Sequence, residues 1–129
     1  MRHDPLADAL SQIKNAERSG HRSCIVTPSS KLLAGILRVM QEYGYIKGYE
    51  RQIDGRADRF QVHLNGNIND CGVIKPRFSV PKRDLEHWEA RYLPAQDFGV
   101  LIMTTTAGVV SNERAKEDGV GGKLLAFIY

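Results

Sequence analysis

The sequence predicts an α+β fold in two parts. Residues 1–66 read as a small α/β unit ordered helix-strand-helix-strand-strand, and residues 67–129 as a β-rich unit with a short helix. Three features carry this. Two apolar stripes at helical spacing lie in the first third of the chain. Short alternating apolar runs follow them. A turn-rich junction, Asn65-Gly66-Asn67 with Asn69-Asp70, separates this part from a second half dominated by strand-forming segments.

Asp4 suits the N-cap of the first helix and Pro5 its first position. Leu6, Ala9, Leu10, Ile13 and Ala16 then fall at offsets 0, 3, 4, 7 and 10, a single buried stripe. Lys14 and Arg18 complement the C-terminal end of the dipole, and Gly20 is a stop. Ser23–Thr27, with Cys24-Ile25-Val26, reads as a short buried strand. Pro28-Ser29-Ser30 breaks it and caps a second helix carrying Leu33, Ile36, Leu37, Met40 and Tyr43, which Gly44 ends. Gly35 inside that helix costs about 1 kcal/mol against alanine, so the helix depends on packing. Tyr45–Ile53 is a strand, Asp54-Gly55 a turn, and Phe60, Val62 and Leu64 alternate with Gln61 and His63 in the next strand.

Beyond the junction, Val73-Ile74 is a short strand. Lys75 to Arg83 is extended because Pro76 and Pro81 exclude helix. Asp84–Tyr92 is one or two helical turns carrying Trp88. Val100-Leu101-Ile102-Met103 is a fully buried strand, and Thr104 to Gly108 leaves it as a loop. Ser111 caps a polar helix that runs through Lys116 and ends near Gly119, and Lys123–Tyr129 is the last strand.

Composition excludes several classes. Of 129 residues, 42% are hydrophobic and 26% charged, close to the globular averages of about 45–50% and 25%. No apolar run approaches the ~18 residues of a membrane span, and MRHDPLAD has an aspartate where a signal peptide is apolar. A soluble, cytoplasmic chain with no membrane partner is expected. Cys24 and Cys71 form no CxxC and read as reduced thiols. His3, His21, His63 and His87 make no metal-ligand pattern, so no metal and no cofactor are predicted. Gly119-Val120-Gly121-Gly122-Lys123-Leu124 lacks the spacing of a nucleotide loop, having Glu117 and Leu124 where glycine and Ser/Thr are needed. No nucleophile elbow or paired carboxylates appear, so no catalytic residue is assigned. A small nucleotide-binding module or enzyme using the Gly-rich turn is the rival reading, and a protein-only scaffold a further one.

Net charge is +3, with ten Lys/Arg and seven Asp/Glu in residues 1–65 but eight of each in 66–129. Binding through the second half therefore rests on shaped hydrogen bonding rather than bulk charge. The features that fit it are Thr104-Thr105-Thr106-Ala107-Gly108, small hydroxyls and bare backbone at the exit of an apolar strand. Such groups hydrogen-bond to phosphate, sugar and base edges, and structured RNA is a natural partner; the alternative is a Thr-rich strand end, since threonine favours strands. Ser29-Ser30-Lys31 at a helix N-terminus and the four cations between Lys75 and Arg83 add anion sites.

Asp4-Pro5-Leu6-Ala7-Asp8-Ala9-Leu10 with Ile13-Lys14-Asn15-Ala16, Pro28-Ser29-Ser30-Lys31, Thr104-Thr105-Thr106-Ala107-Gly108-Val109-Val110 and Gly119-Val120-Gly121-Gly122-Lys123-Leu124-Leu125 together resemble the small-subunit ribosomal protein eight family. The middle of the chain, from Asp54-Gly55-Arg56-Ala57 through Arg77-Phe78 to Gln96-Asp97-Phe98-Gly99, resembles its archaeal and eukaryotic branch, the archaeal side above all.

The resemblance implies a protein of the small ribosomal subunit that binds the central domain of small-subunit ribosomal RNA early in assembly, beside neighbouring ribosomal proteins. It implies no small-molecule substrate. Contacts are expected at Ser29, Ser30 and Lys31, at Lys75 and Arg77, at Thr104, Thr105, Thr106, Ala107 and Gly108, and at Gly121, Gly122 and Lys123. Bacterial relatives typically read Ser-Thr-Ser at the threonines and carry glutamate at Lys123, so the contact there differs in this chain.

Overall fold

A computed structural model describes residues 4–27, 30–54 and 57–129. His3, Pro28, Ser29 and Gly55, which the sequence reading used, lie outside them. Two compact units, Met1–Ile68 and Asn69–Tyr129, divide the chain.

In the first unit Asp4 caps α1 (Pro5–Arg18), its Oδ1 accepting from the Ala7 amide at 3.1 Å. The whole predicted stripe, Leu6 to Ala16, is buried. Ser30 caps α2 (Lys31–Glu42) in the same way, accepting from the Leu33 amide at 3.0 Å. Leu33, Ile36, Leu37 and Met40 are buried as expected. Tyr43 is not part of the stripe: it is the exposed C-cap residue, and Val39 is buried in addition.

The sheet has the order β1-β3-β2, from β1 (Ser23–Val26), β2 (Ile46–Asp54) and β3 (Ala57–Leu64). The expectation that β1 is buried is corrected. It is an edge strand of which only Val26 is buried, while Ile25 is 46% exposed. One apolar triplet cannot report which of its members has a covering layer. In β3, Phe60, Val62 and Leu64 are buried and Gln61 and His63 are half-buried, the alternation of a strand with one covered face.

The second unit is built on β8 (Gly122–Ile128). It pairs on one side with β6 (Val100–Thr105), which pairs onward with β7 (Gly108–Ser111). On the other side it pairs with two short strands in succession, β4 (Cys71–Val73) and β5 (Ser79–Val80). Val100 to Met103 are each no more than 2% exposed, the buried strand the sequence predicts. Ile74, Val80, Leu85, Leu93, Leu101, Met103, Ala115 and Leu124 form the core. Its lids are α3 (Leu85–Tyr92) and α4 (Asn112–Asp118), the latter capped by the Ser111 hydroxyl and ended by Gly119 at φ +69°.

Asn112, nearly fully buried, clasps three elements. Its Oδ1 accepts from the Leu101 amide at 3.1 Å. Its Nδ2 donates at 2.6 Å to Glu89 Oε1, which also pairs with Lys116 Nζ at 2.5 Å. A buried amide with both ends satisfied fixes position as well as packing does.

Two expectations here are corrected. Thr104–Gly108 is not a loop: β6 runs to Thr105, β7 starts at Gly108, and only Thr106 and Ala107 turn. Threonine's preference for strands and the pairing with β8 extend the ladder past the apolar run. Lys75–Arg83 is not extended throughout, because a 3-10 turn occupies Lys82–Asp84. Pro81 bars Val80 from helix but is compatible with a helical turn beginning just after it.

Candidate nucleic-acid interface

The residues singled out in the second half converge at one end of this sheet. Thr104 lies opposite Lys123 across β6 and β8, and Lys123 lies opposite Ser79 across β8 and β5. Directly opposed residues of antiparallel strands project on the same face. Ser79, Lys123 and Thr104 thus form a row across three strands, with Val109 of β7 opposite Thr104 as its end. Ser79 and Lys123 are exposed and Thr104 is half-buried, while Val80, Leu124 and Met103, one residue along each strand, sit in the core. The cation therefore stands between two hydroxyls at the exposed end of the opposite face.

The Thr105 hydroxyl is spent on the hairpin. It donates to the Gly108 carbonyl at 3.1 Å and accepts from the Ala107 amide at 3.1 Å. One lone pair of that oxygen remains, and the Thr105 methyl lies against Gly122. Thr104 and Thr106 make no side-chain hydrogen bond among the described residues, and their hydroxyls are the donors and acceptors this edge offers.

Gly121 and Gly122 are held by the chain's own backbone. A Cβ on Gly121 would lie 2.4 Å from the Val80 carbonyl oxygen and 2.9 Å from Pro81 Cα. A Cβ on Gly122 would lie 2.2 Å from the Thr104 oxygen and 2.9 Å from Thr105 Cγ2. Contacts this short admit no side chain, so each glycine presses one flank of the face against β8. The turn leads into a strand rather than a helix.

Lys75 and Arg77 lie on a short excursion from the β8 edge. The Ile74 amide donates to the Leu125 carbonyl at 2.9 Å, and the Leu124 amide donates to the Phe78 carbonyl at 3.0 Å. Between these anchors the chain carries a cis Lys75–Pro76 bond and exposes both cations. Ser30 and Lys31 belong to the first unit, at the N-terminus of α2, where Lys31 is exposed. Ser29 lies outside the described residues.

Sequence reasoning missed Ser79, which nothing in its own neighbourhood marks; only the register with Lys123 places it in the row. Other chemistry is not brought together. Neither Cys24 nor Cys71 is in a disulfide. Burial pushes the Cys24 thiol up, and the negative charge of Glu17 raises it further. Both effects disfavour the thiolate. Among the described residues no group of three His, Cys, Asp or Glu side chains could hold a metal ion, and no helix is long and apolar enough to cross a membrane.

Comparison with known proteins agrees with the motifs. The family model described as ribosomal protein S8 matches residues 4–129. Among curated proteins, the chain is 54% identical over 129 residues to small ribosomal subunit protein uS8 of Thermoplasma volcanium, covering all of both chains. It is 53% identical over 128 residues to the protein of that name from Methanocorpusculum labreanum, covering 99% of this chain and 98% of the relative. It is 54% identical over 126 residues to that of Methanococcoides burtonii, covering 98% and 97%. These are archaeal species, in line with the archaeal character of residues 54–99. With a match over nearly its whole length, the chain belongs to the ribosomal protein S8 family.

Proposed function

We propose that this chain is a structural constituent of the small ribosomal subunit in the cytoplasm, and that it binds the central domain of small-subunit ribosomal RNA directly. The observation that carries the reading is the row Ser79–Lys123–Thr104, continued by the Thr106-Ala107 turn. It sets hydroxyls, bare backbone and one cation on a rigid sheet end in a unit with no net formal charge.

Such a surface discriminates by fit. Thr104 and Thr106 supply hydroxyls that donate and accept against ribose 2′-OH, phosphate and base edges. Thr105 holds the hairpin and keeps one lone pair for the RNA. Lys123 meets a phosphate between them, and the Gly121-Gly122 pair keeps the two flanks at their spacing. Lys75 and Arg77 on the β8 edge, and Ser29, Ser30 and Lys31 on the first unit, add positioning contacts to the backbone. The chain binds beside neighbouring ribosomal proteins and takes no small-molecule substrate.

The test is affinity for a central-domain RNA fragment against a scrambled-helix control across a salt series. A cognate preference that survives at high salt is expected, because hydrogen bonding is screened less than phosphate contacts are. Equal affinity for the two RNAs at every salt concentration refutes the reading.

A further inference from the structure

Pro81, Lys82, Arg83, Glu86 and Lys116 line a wide, shallow hollow of about 740 Å³ in the second unit. Lys116 is already paired with Glu89 at 2.5 Å, whereas Lys82 and Arg83 are exposed and form no ion pair among the described residues. Asp84 and Glu86 follow directly in sequence, yet neither engages them. A more enclosed cavity of about 390 Å³ lies next to it, sharing Glu86 and Lys116 but lined further by Glu89 and Asp97. The three carboxylates of that cavity repel an anion, whereas the hollow has Glu86 alone against Lys82, Arg83 and Lys116.

The hollow is tied to the threonine face through Gly121 and Gly122. The Cβ position of Gly121 falls against Val80, Pro81 and the Lys82 amide nitrogen, and that of the next residue, Gly122, against Thr104 and Thr105. One peptide unit therefore connects the backbone of the basic 3-10 turn with that of the hairpin.

Building on the proposed RNA binding, we infer that Lys82 and Arg83 form a second, sequence-indifferent contact region that takes the phosphodiester backbone of the RNA strand next to the one met by Thr104–Thr106. The hollow is wide and open, and its two unpaired cations sit on a turn of fixed backbone. Open shape and paired positive charge suit a flexible polyanion that must be placed rather than read. Glu86 sets the sign of the test, because a carboxylate facing the hollow opposes any anion there.

The experiment uses the full chain with the cognate central-domain fragment and its scrambled control, from about 0.05 to 0.5 M salt. The double substitution Lys82→Ala/Arg83→Ala is expected to flatten the slope of log affinity against log salt by about 1.5, close to 0.7–0.9 for each phosphate contact removed. With the lines converging near 1 M salt, that is about a 30-fold loss at 0.1 M. The loss is expected on both RNAs, leaving the cognate-to-scrambled ratio intact. Glu86→Gln is expected to move the other way and tighten both RNAs a few-fold.

All three side chains are exposed, so melting midpoints should match the parent and loss of folding cannot imitate loss of contact. An unchanged slope in the double variant, or weaker binding in Glu86→Gln, overturns the inference while leaving specific binding by the parent protein standing. Failure of the parent protein to prefer the cognate RNA instead overturns the proposed function.

Discussion

Gly122→Ala tests the architecture of the interface most directly. The added Cβ would sit 2.2 Å from the Thr104 carbonyl oxygen, 3.0 Å from Thr104 carbonyl carbon and 2.9 Å from Thr105 Cγ2. Relief to an ordinary contact near 3.4 Å requires β6 and β8 to separate locally by about 1 Å. The first two obstacles are backbone, so no side-chain rotation helps. β6 cannot yield, because Val100 to Met103 are no more than 2% exposed and Asn112 holds the Leu101 amide. The cost therefore lies at the upper end of overpacking penalties, about 3 kcal/mol. At the usual entropy of unfolding for a chain of 129 residues this lowers the melting midpoint by about 10 °C. Urea and thermal melts measure it, with Gly48→Ala as the control. A Cβ on Gly48 finds only Gln41 Nε2, at 3.9 Å, so that change is expected to stay within about 1 kcal/mol of the parent. A Gly122→Ala protein that melts with the parent refutes the tight apposition of β6 and β8.

Thr105→Val keeps the side-chain shape but removes both 3.1 Å hairpin hydrogen bonds, which is expected to cost about 1 kcal/mol of stability. Thr106→Val is expected to leave the melt unchanged and weaken cognate RNA binding by about 1–3 kcal/mol. The opposite assignment of the two effects refutes the division of labour between these hydroxyls. Ser30→Ala removes the cap that accepts from the Leu33 amide, and a loss of about 1 kcal/mol in a denaturant melt is expected.

Glu17 provides a pH test. Burial raises its carboxyl above the ordinary glutamate value, and its Oε2 has no hydrogen-bond partner among the described residues. Between the ordinary and the raised value the folded chain holds more protons than the unfolded one, so this group makes stability fall as pH rises through that window. Glu17→Gln is expected to flatten that fall and to lower the Cys24 thiol by removing the carboxylate beside it. Melts across the acid range and alkylation rates against pH check the two effects, and a slope equal to the parent's counts against the burial argument.

Features that a short stretch of chain encodes are legible before any fold is known. The Asp4, Ser30 and Ser111 caps, the helical stripes of α1 and α2, the alternation of β3 and the apolar run of β6 are all written within about ten residues. Their signals are local hydrogen bonding and the period of burial. The threonines and the Gly-Gly turn were also legible as candidates, since small hydroxyls and bare backbone are unusual in such density.

Tertiary structure decided what those candidates do. Ser79 joins Lys123 and Thr104 only because β5 and β6 pair with the same strand from opposite sides, a registration between residues 44 positions apart in one case and 19 in the other. Gly121 and Gly122 are obligatory because Val80 and Thr104, remote in sequence, crowd them from two sides. The Thr105 hydroxyl is held by the hairpin because Gly108 returns beside it, and Ile25 is exposed because it stands opposite Gln61, on the face of β3 away from Phe60, Val62 and Leu64. Composition and period report which residues prefer burial. Which atoms come within reach of one another depends on strand registration, and that is set by the packing of the whole unit.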